Sequence, residues 1–428
     1  MDTTDSIARR QNNLGPAYRL FYDEPVHAKS AEGVWIVDVD GKRYLDVYNN
    51  VPSVGHAHPG VVAAISSQMA VLATHTRYVE ERILEYSDRL LALFPAALDK
   101  VMFTCTGSEA NDLALRVARA ATNGTGIIVT KLAYHGVTSS IAEISPSFGA
   151  GVPLGQHVRT VPAPDTYRTY SAGQVASAFA ESVAAAVADM RRHGIQPAAL
   201  IVDTIFSSDG IFGDPAGFLG PAVDLIRREG GIFIADEVQA GFGRTGSAMW
   251  GFERHGVVPD IVTLGKPMGN GYPVAGIVAR TPLIDAFAGR TRYFNTFGGN
   301  PVASAAGLAV LNAIRDEGLM LNVQSTGHYF RSKLLELQDA CPLIGDIRGA
   351  GFFLGVELVK DRQSKAPLSD DTPKVVNGMR RKGILISATG PYGNVLKLRP
   401  QLIFQPDHVD LFMTNLEAVL SDVTRSLA

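Results

Sequence analysis

The sequence predicts an α/β protein in which helices cover both faces of a mostly parallel sheet, joined to a smaller α+β domain. Three observations point there. Four apolar runs, Ile127–Thr130, Ala199–Asp203, Ile232–Asp236 and Ile261–Leu264, read as buried strands separated by segments of helix length. Strands that are apolar throughout belong to sheets covered on both faces, and crossovers of that length make neighbouring strands parallel. A hydrophobic content of 46%, a charged content of 19% and 43 glycines in 428 residues suit a compact enzyme and exclude a fibrous or disordered chain.

In chain order, "GVWIVDVDGKRYLDV" alternates apolar and polar residues around Asp40-Gly41, the pattern of a hairpin. Helices and strands alternate from about Gly60. "TCTGSEANDLALRVARAAT" sets Ala110, Leu113, Ala114, Val117 and Ala118 on one helical face. Beyond about Val310 come a long helix, "IGDIRGAGFFLGVEL", a helical stretch near Lys374–Lys382, "VLKLRP" and a last helix, which together read as the smaller domain. There is no repeat or low-complexity linker, so the domain boundary falls within ordinary helix-turn sequence.

A net charge of −3 carries no basic surplus, which argues against nucleic acid as a partner. Two cysteines, Cys105 and Cys341, are too few for a disulfide framework and have no metal-binding spacing, so no metal is expected. "MDTTDSIARRQNN" lacks the apolar core of a signal peptide, and no apolar run reaches the ~18 residues of a membrane span. The expectation is a cytoplasmic enzyme acting on a small molecule.

Ligands of open parallel sheets collect outside the carboxyl ends of the strands, and the polar residues appear there. Ile232–Asp236 ends in Asp236, and Ile261–Leu264 ends two residues before Lys266, in the glycine-rich "TLGKPMGNGYPV". Thr106-Gly107-Ser108 opens a helix, where free amides and a hydroxyl suit a phosphate. Each feature alone has an ordinary structural reading: polar residues resume after strands, and Ser108 serves equally well as a plain helix cap. Together they suggest a lysine that forms a Schiff base with an aldehyde cofactor and a buried carboxylate that keeps a pyridine nitrogen protonated. That is the arrangement needed for pyridoxal 5′-phosphate. Gly265, Gly269 and Gly271 would leave room for its ring, and about one strand-helix-strand unit would separate Asp236 from Lys266.

"TGSEANDLALRVAR", "AYHG", "ADEVQAGFGRTG", "GKPMGNGYPVAG" and "FNTFGGNP", in order, resemble the class III aminotransferase family of fold type I pyridoxal phosphate enzymes. The resemblance implies a seven-stranded sheet in a large domain at 61–312, with a small domain built from both chain ends, 1–60 and 313–428. It implies that Lys266 holds the cofactor and moves the Cα proton, and that Asp236 pairs with the ring nitrogen. Val238 and Tyr134 would pack on the two ring faces, Gln239 would approach the 3-hydroxyl, and Thr106, Gly107 and Ser108 would bind the phosphate. Thr296 would reach that phosphate from a neighbouring subunit, which implies a homodimer with interfacial active sites. His135 reads as a structural neighbour.

Two positions leave the aminotransferase pattern. Where those enzymes carry a carboxylate-gripping arginine and a mobile glutamate, this chain has Lys397 and Asp203, with Arg399 a possible substitute two residues on. "THTRYV", "YNNVPSVGHAHPG", "EISP", "PAPDTYR" and "IGDIRGAGFFLGVELVKD" resemble the branch of ethanolamine phosphate and phosphohydroxylysine phospho-lyases. In that branch Arg77 would face a substrate phosphate with help from Lys397, and Asn50 and Asp203 would also contact substrate. The expected reaction is elimination of phosphate from phosphoethanolamine. The alternatives are an ω-aminotransferase, a lyase for another phosphorylated amine such as phosphohydroxylysine, and a non-catalytic scaffold.

Overall fold

The computed structural model describes residues 3–427; Met1, Asp2 and Ala428, at the ends of the expected terminal segments, lie outside the described residues. An N-terminal antiparallel meander comprises β1 (Ala28–Glu32), β2 (Trp35–Asp38) and β3 (Arg43–Asp46). The β2–β3 turn contains Asp40-Gly41 as expected, with Gly41 at φ 85° and the Asp38 carboxylate accepting from the amides of Asp40 and Lys42.

The central sheet holds β4 (Lys100–Thr104), β5 (Gly126–Thr130), β6 (Val158–Val161), β7 (Pro197–Asp203), β8 (Ile232–Asp236), β9 (Ile261–Leu264) and β10 (Ala275–Ala279). Their order is β4-β10-β9-β8-β7-β5-β6, and β10 runs antiparallel to both its neighbours while the remaining pairs are parallel. β8 and β9 keep the expected bounds, and β5 and β7 start slightly earlier. β4, β6 and β10 were not foreseen, for identifiable reasons. "VRTV" of β6 is a half-polar edge strand. β10 contains Gly276, where a Cβ would lie 2.7 Å from the Met102 carbonyl oxygen, so the glycine that weakens the strand signal is what lets β4 approach.

The register matters most at the carboxyl edge. Asp203 lies opposite Asp236, and Asp236 opposite Thr263, so three strands end level with one another. The connection from β8 to β9 departs from expectation. It contains a short 3-10 turn, Gly251–His255, and no α-helix, because "QAGFGRTG" needs positive φ at Phe242, Gly243 and Gly246.

The helix Gly107–Thr122 buries its five expected face residues and Asn111 and Leu115 as well, packing across β7, β9 and β10. Fully burying one such leucine is worth roughly 1.5–3 kcal/mol. The long helix expected past Val310 is two, Pro301–Asp316 and Leu319–Ala340, broken where Gly318 adopts φ 62°.

β11 (Ile344–Ala350) and β12 (Phe353–Asp361) form a hairpin extended by β13 (Ala366–Pro367), which pairs with β12. β14 (Ile384–Leu385) pairs parallel with β3, so the two chain ends share one sheet, and β15 (Ser387–Thr389) and β16 (Val395–Leu398) extend β12. Glu357 of β12 locks this sheet onto the body of the protein. It pairs with Arg168 and, at 2.6 Å, with Arg348, whose Nε donates to the carbonyls of Gly210 and Ile211 at 2.8 and 3.0 Å. Among the described residues, no helix is long and apolar enough to cross a membrane.

Removing the Glu357 carboxylate would leave Arg168 without a carboxylate and the buried Arg348 with only the more exposed Asp346 at 2.9 Å, so Glu357→Ala is expected to destabilise the protein by about 3 kcal/mol. Urea unfolding checks this as a lowered midpoint with little change in slope.

Candidate active site

The level carboxyl edge opens into a cleft of about 200 Å³ lined by Thr106, Gly107, Ser108, Asn111, Tyr134, His135, Gly136, Asp203, Asp236, Val238, Gln239 and Lys266. Every cofactor-binding residue expected from sequence is there except Thr296, together with Lys266, Asp236 and Asp203.

One end of the cleft is an anion cradle. Thr106 caps the Gly107 helix: its Oγ1 accepts from the Glu109 amide at 3.2 Å, and the Glu109 carboxylate accepts from the Thr106 and Cys105 amides at 3.0 and 2.7 Å. Ser108 is therefore not the cap, and its Oγ instead accepts from the Val137 amide at 3.0 Å. The amides of Gly107 and Ser108 stand in the first helical turn, where no intrahelical acceptor exists. A Cβ at Gly107 would meet the Val238 methyls at 3.1 Å, and one at Gly136 would fall 2.3 Å from Ser108 Oγ. Of the three glycines around Lys266, only Gly265 borders this cradle: a Cβ there would lie 3.3 Å from the Gly107 amide nitrogen. Gly269 instead makes room for Val274, and Gly271 has φ 109° with open space beside it.

At the other end, Asp236 is 4% exposed. Its Oδ2 accepts from Asn111 Nδ2 at 3.0 Å and lies 2.7 Å from His135 Nδ1, while Oδ1 accepts from the Val238 amide at 3.1 Å. Burial alone would push its pKa up. The hydrogen bond and charge of His135, with the Val238 amide and Asn111, outweigh burial and hold the carboxyl below its ordinary value. Asn111 was not singled out from sequence, although it is the polar residue that shares a helical row with Ala114 and Ala118.

Lys266 opens the 3-10 turn Lys266–Gly269 at φ 27°. Burial lowers its pKa, against the opposing pull of Asp236, and no hydrogen-bond partner meets its ammonium among the described residues. The amine is thus more readily deprotonated than a free lysine, as a nucleophile or base requires. Glu237, the next residue after Asp236, faces away and is structural. It accepts from Thr204 Oγ1 and the Phe252 and Gly251 amides at 2.8, 2.8 and 2.7 Å, and burial pushes its pKa to about 7.

Asp203 accepts from the Ile205 and Ser207 amides at 3.1 Å each, and burial raises its pKa. Gln239 has both ends of its amide engaged: Nε2 donates to Ser207 Oγ and Oε1 accepts from Arg399 Nη1, each at 2.7 Å. Lys397 and Arg399, each 7% exposed, sit over the Phe353 ring at 5.6 and 6.0 Å, so they share a face as alternation suggested. Among the described residues neither has an ion-pair partner within 4.0 Å, and Arg399 Nε and Asn50 Nδ2 are buried without hydrogen-bond partners. Burial, and the neighbouring charge of Arg399, lower the Lys397 pKa well below its usual value. Arg77 and Thr296 stand elsewhere. Both are exposed, and the Arg77 guanidinium lies 3.9 Å from the Phe294 ring.

His135→Phe removes the largest favourable contribution to the Asp236 anion, so the Asp236 pKa should rise and the acid limb of kcat/KM should move to higher pH. A pH profile of the variant checks this, and an unmoved limb would count against the assignment.

Residues 21–420 match the family model for aminotransferase class-III. The chain is 38% identical to an alanine–glyoxylate aminotransferase 2-like protein of Drosophila melanogaster, over 99% of this chain and 88% of that one. It is 36% identical to ethanolamine-phosphate phospho-lyase homolog 1 of Caenorhabditis elegans, over 98% and 94%. Among solved structures it superposes on an Arthrobacter phospholyase in complex with phosphoethanolamine with TM-score 0.94 and 42% identity, covering 97% of this chain and 99% of that one. A Bacillus anthracis aminotransferase gives 0.89 and 27%, over 99% and 100%. The chain therefore belongs to the class III aminotransferase family, whose enzymes depend on pyridoxal 5′-phosphate.

Proposed function

We propose that this enzyme is a phospho-lyase that converts O-phosphoethanolamine and water into acetaldehyde, ammonia and phosphate. The observation that carries the reading is the pair of buried basic side chains, Lys397 and Arg399, beside the cleft, neither of which has an ion-pair partner within 4.0 Å among the described residues. Burying charge costs several kcal/mol unless an opposite charge meets it, so such a pair is built for an anion that arrives with the substrate. The Arthrobacter phospholyase in complex with phosphoethanolamine supports the choice of anion.

The cleft fits pyridoxal 5′-phosphate on its own geometry. Gly107 and Gly136 leave the space that a Cβ would fill beside Ser108 and Val238, the helix amides suit the phosphate, and an ionised carboxylate faces the far end. When bound, the cofactor supplies an electron sink for the carbon next to the substrate nitrogen. Asp236, kept ionised by its three partners, would hold a proton on the ring nitrogen placed against it. Val238 and Tyr134 would bound the ring faces, with Tyr134 oriented by edge contact to Phe148 at 5.5 Å. Lys266, readily neutral, would anchor the aldehyde and, once displaced by substrate, take the proton from Cα. Gln239, its amide committed to Ser207 and Arg399, would orient the guanidinium for the departing group. Lys397 and Arg399 would then stabilise the phosphate as its carbon–oxygen bond breaks.

Arg77 and Thr296 support a homodimer. They stand at the surface among exposed apolar side chains, including Val79 at 90%, Val71 at 80% and Phe297 at 69%. A second copy covering this surface would bring Thr296 to the neighbouring phosphate cradle and enclose Arg77 against the substrate.

Purified enzyme given phosphoethanolamine and no keto acid should release phosphate over many turnovers. Lys266→Ala should abolish release, and Lys397→Met should raise KM at least tenfold, a loss of about 1.4 kcal/mol. No release, with amino transfer appearing on addition of pyruvate, would instead assign an ω-aminotransferase. Co-expressed Lys266→Ala and Thr296→Trp chains should recover part of the activity that each lacks alone, because a mixed dimer contains one intact site. Absence of recovery would place Thr296 in its own chain's site.

A further inference from the structure

Asn270 ends the turn that Lys266 begins, yet its side chain is spent on a different part of the chain. Its Oδ1 accepts from the Val54 amide at 2.9 Å, and its Nδ2 donates to the Gly55 carbonyl at 2.8 Å. Its own amide donates to the Pro267 carbonyl at 3.2 Å, and its backbone is left-handed at φ 49°, ψ 40°. Asparagine is the residue that tolerates this conformation and also carries a donor and an acceptor side by side. The side chain thus pairs with the backbone at Val54 and Gly55 as a strand edge would.

The segment it holds, residues 47–56, packs against Arg399, whose guanidinium reaches Gln239 of the cleft. Tyr48 lies 5.1 Å from the Arg399 guanidinium, and Asn50 Nδ2 is buried without a partner. Its first turn is fixed by Asp46, which is 0% exposed: Oδ1 accepts from the Tyr48 and Asn49 amides at 3.1 and 2.9 Å. Asp46 Oδ2 accepts from Gln401 Nε2 at 3.1 Å and lies 2.8 Å from His56 Nε2. Backbone bonds from Arg399 to Val47 and from Leu402 to Ser53, 2.8 Å each, tie the segment to the chain that follows β16. Toward Lys266, the hydrogen bonds among the described residues come from Asn270 alone.

We propose that Asn270 is a positioning residue for the reaction. It holds the segment that carries Tyr48 and Asn50, and with it the Arg399 guanidinium packed against Tyr48, in register with the Lys266 amine. The proposal rests on the anion-binding role assigned above to Arg399, and it adds the link between that charge and the turn that carries the reactive lysine.

The test uses cofactor-loaded Asn270→Gly, in which glycine keeps the left-handed backbone and both side-chain bonds are lost. Amide hydrogen exchange in residues 48–56 should quicken. KM for phosphoethanolamine should rise about tenfold while kcat falls less, since two buried peptide groups lose their partners without a change at the lysine. The cofactor absorption band should be unchanged. Asn270→Asp keeps the acceptor for Val54 and should give intermediate exchange. Exchange and KM both at wild-type values in Asn270→Gly would overturn the proposal, as would a loss confined to kcat. If the wild-type enzyme released no phosphate, the function proposed above would fall. The exchange result, read with KM for the amine donor in amino transfer, would still decide the role of Asn270.

Discussion

Asp236 sits at the end of a central strand in a place where a solitary carboxyl would take up a proton and become neutral. It stays an anion because three donors from three segments converge on it: Asn111 from the Gly107 helix, His135 from the loop after β5, and the amide of Val238 two residues on. The rest of the site is built around that charge. The helix that supplies Asn111 also presents the Gly107 and Ser108 amides at its first turn, so the Asp236 end and the amide end of the cleft are set by one rigid rod.

Opposite lies the reverse imbalance. Lys397 and Arg399 are buried and Lys266 is half-buried, and carboxylate support near them is thin: Asp203 spends both oxygens on backbone amides. Desolvation lowers the pKa of all three, so incoming negative charge is what restores their ordinary ionisation. Under the proposed function, a pocket with this bias would discriminate by charge before shape, favouring a doubly charged phosphate over an uncharged substrate group. The two cations beyond the lysine come from the C-terminal sheet. Their position against the strand ends therefore depends on the ion network of Glu357, Arg348 and Arg168 that fixes this sheet to the loops after β6 and β7.

Much of this was legible in the chain. Runs such as Ile232–Asp236 and Ile261–Leu264 are mostly apolar stretches bounded by glycine or charged residues, and their strand limits agree with the structure. The helix face from Ala110 to Ala118 was equally plain, because its 3.6-residue period is local. Strands whose identity rests on their neighbours were not legible: β10, AGIVA, is short and interrupted by the glycine that β4 needs beside it, and β6 is half polar because it is an edge. The helix break at Gly318 and the helix-free β8–β9 connection turn on single residues with positive φ, which a periodicity argument passes over.

By itself the sequence determined the parallel sheet, the positions of Lys266 and Asp236 at two strand ends, and the glycine-led helix start, since each follows from local periodicity or adjacent residue types. Tertiary structure alone decided that Thr106 and not Ser108 caps that helix, that Gln239 reaches Arg399, that Asn111 and His135 keep Asp236 charged, and that Asn270 grips residues 54 and 55. Those contacts join residues as many as 216 positions apart, as from Asn270 to Val54, and side-chain hydrogen bonds over such separations leave no periodic trace in a chain. They exist only once the hydrophobic core has brought the segments within about 3 Å of one another.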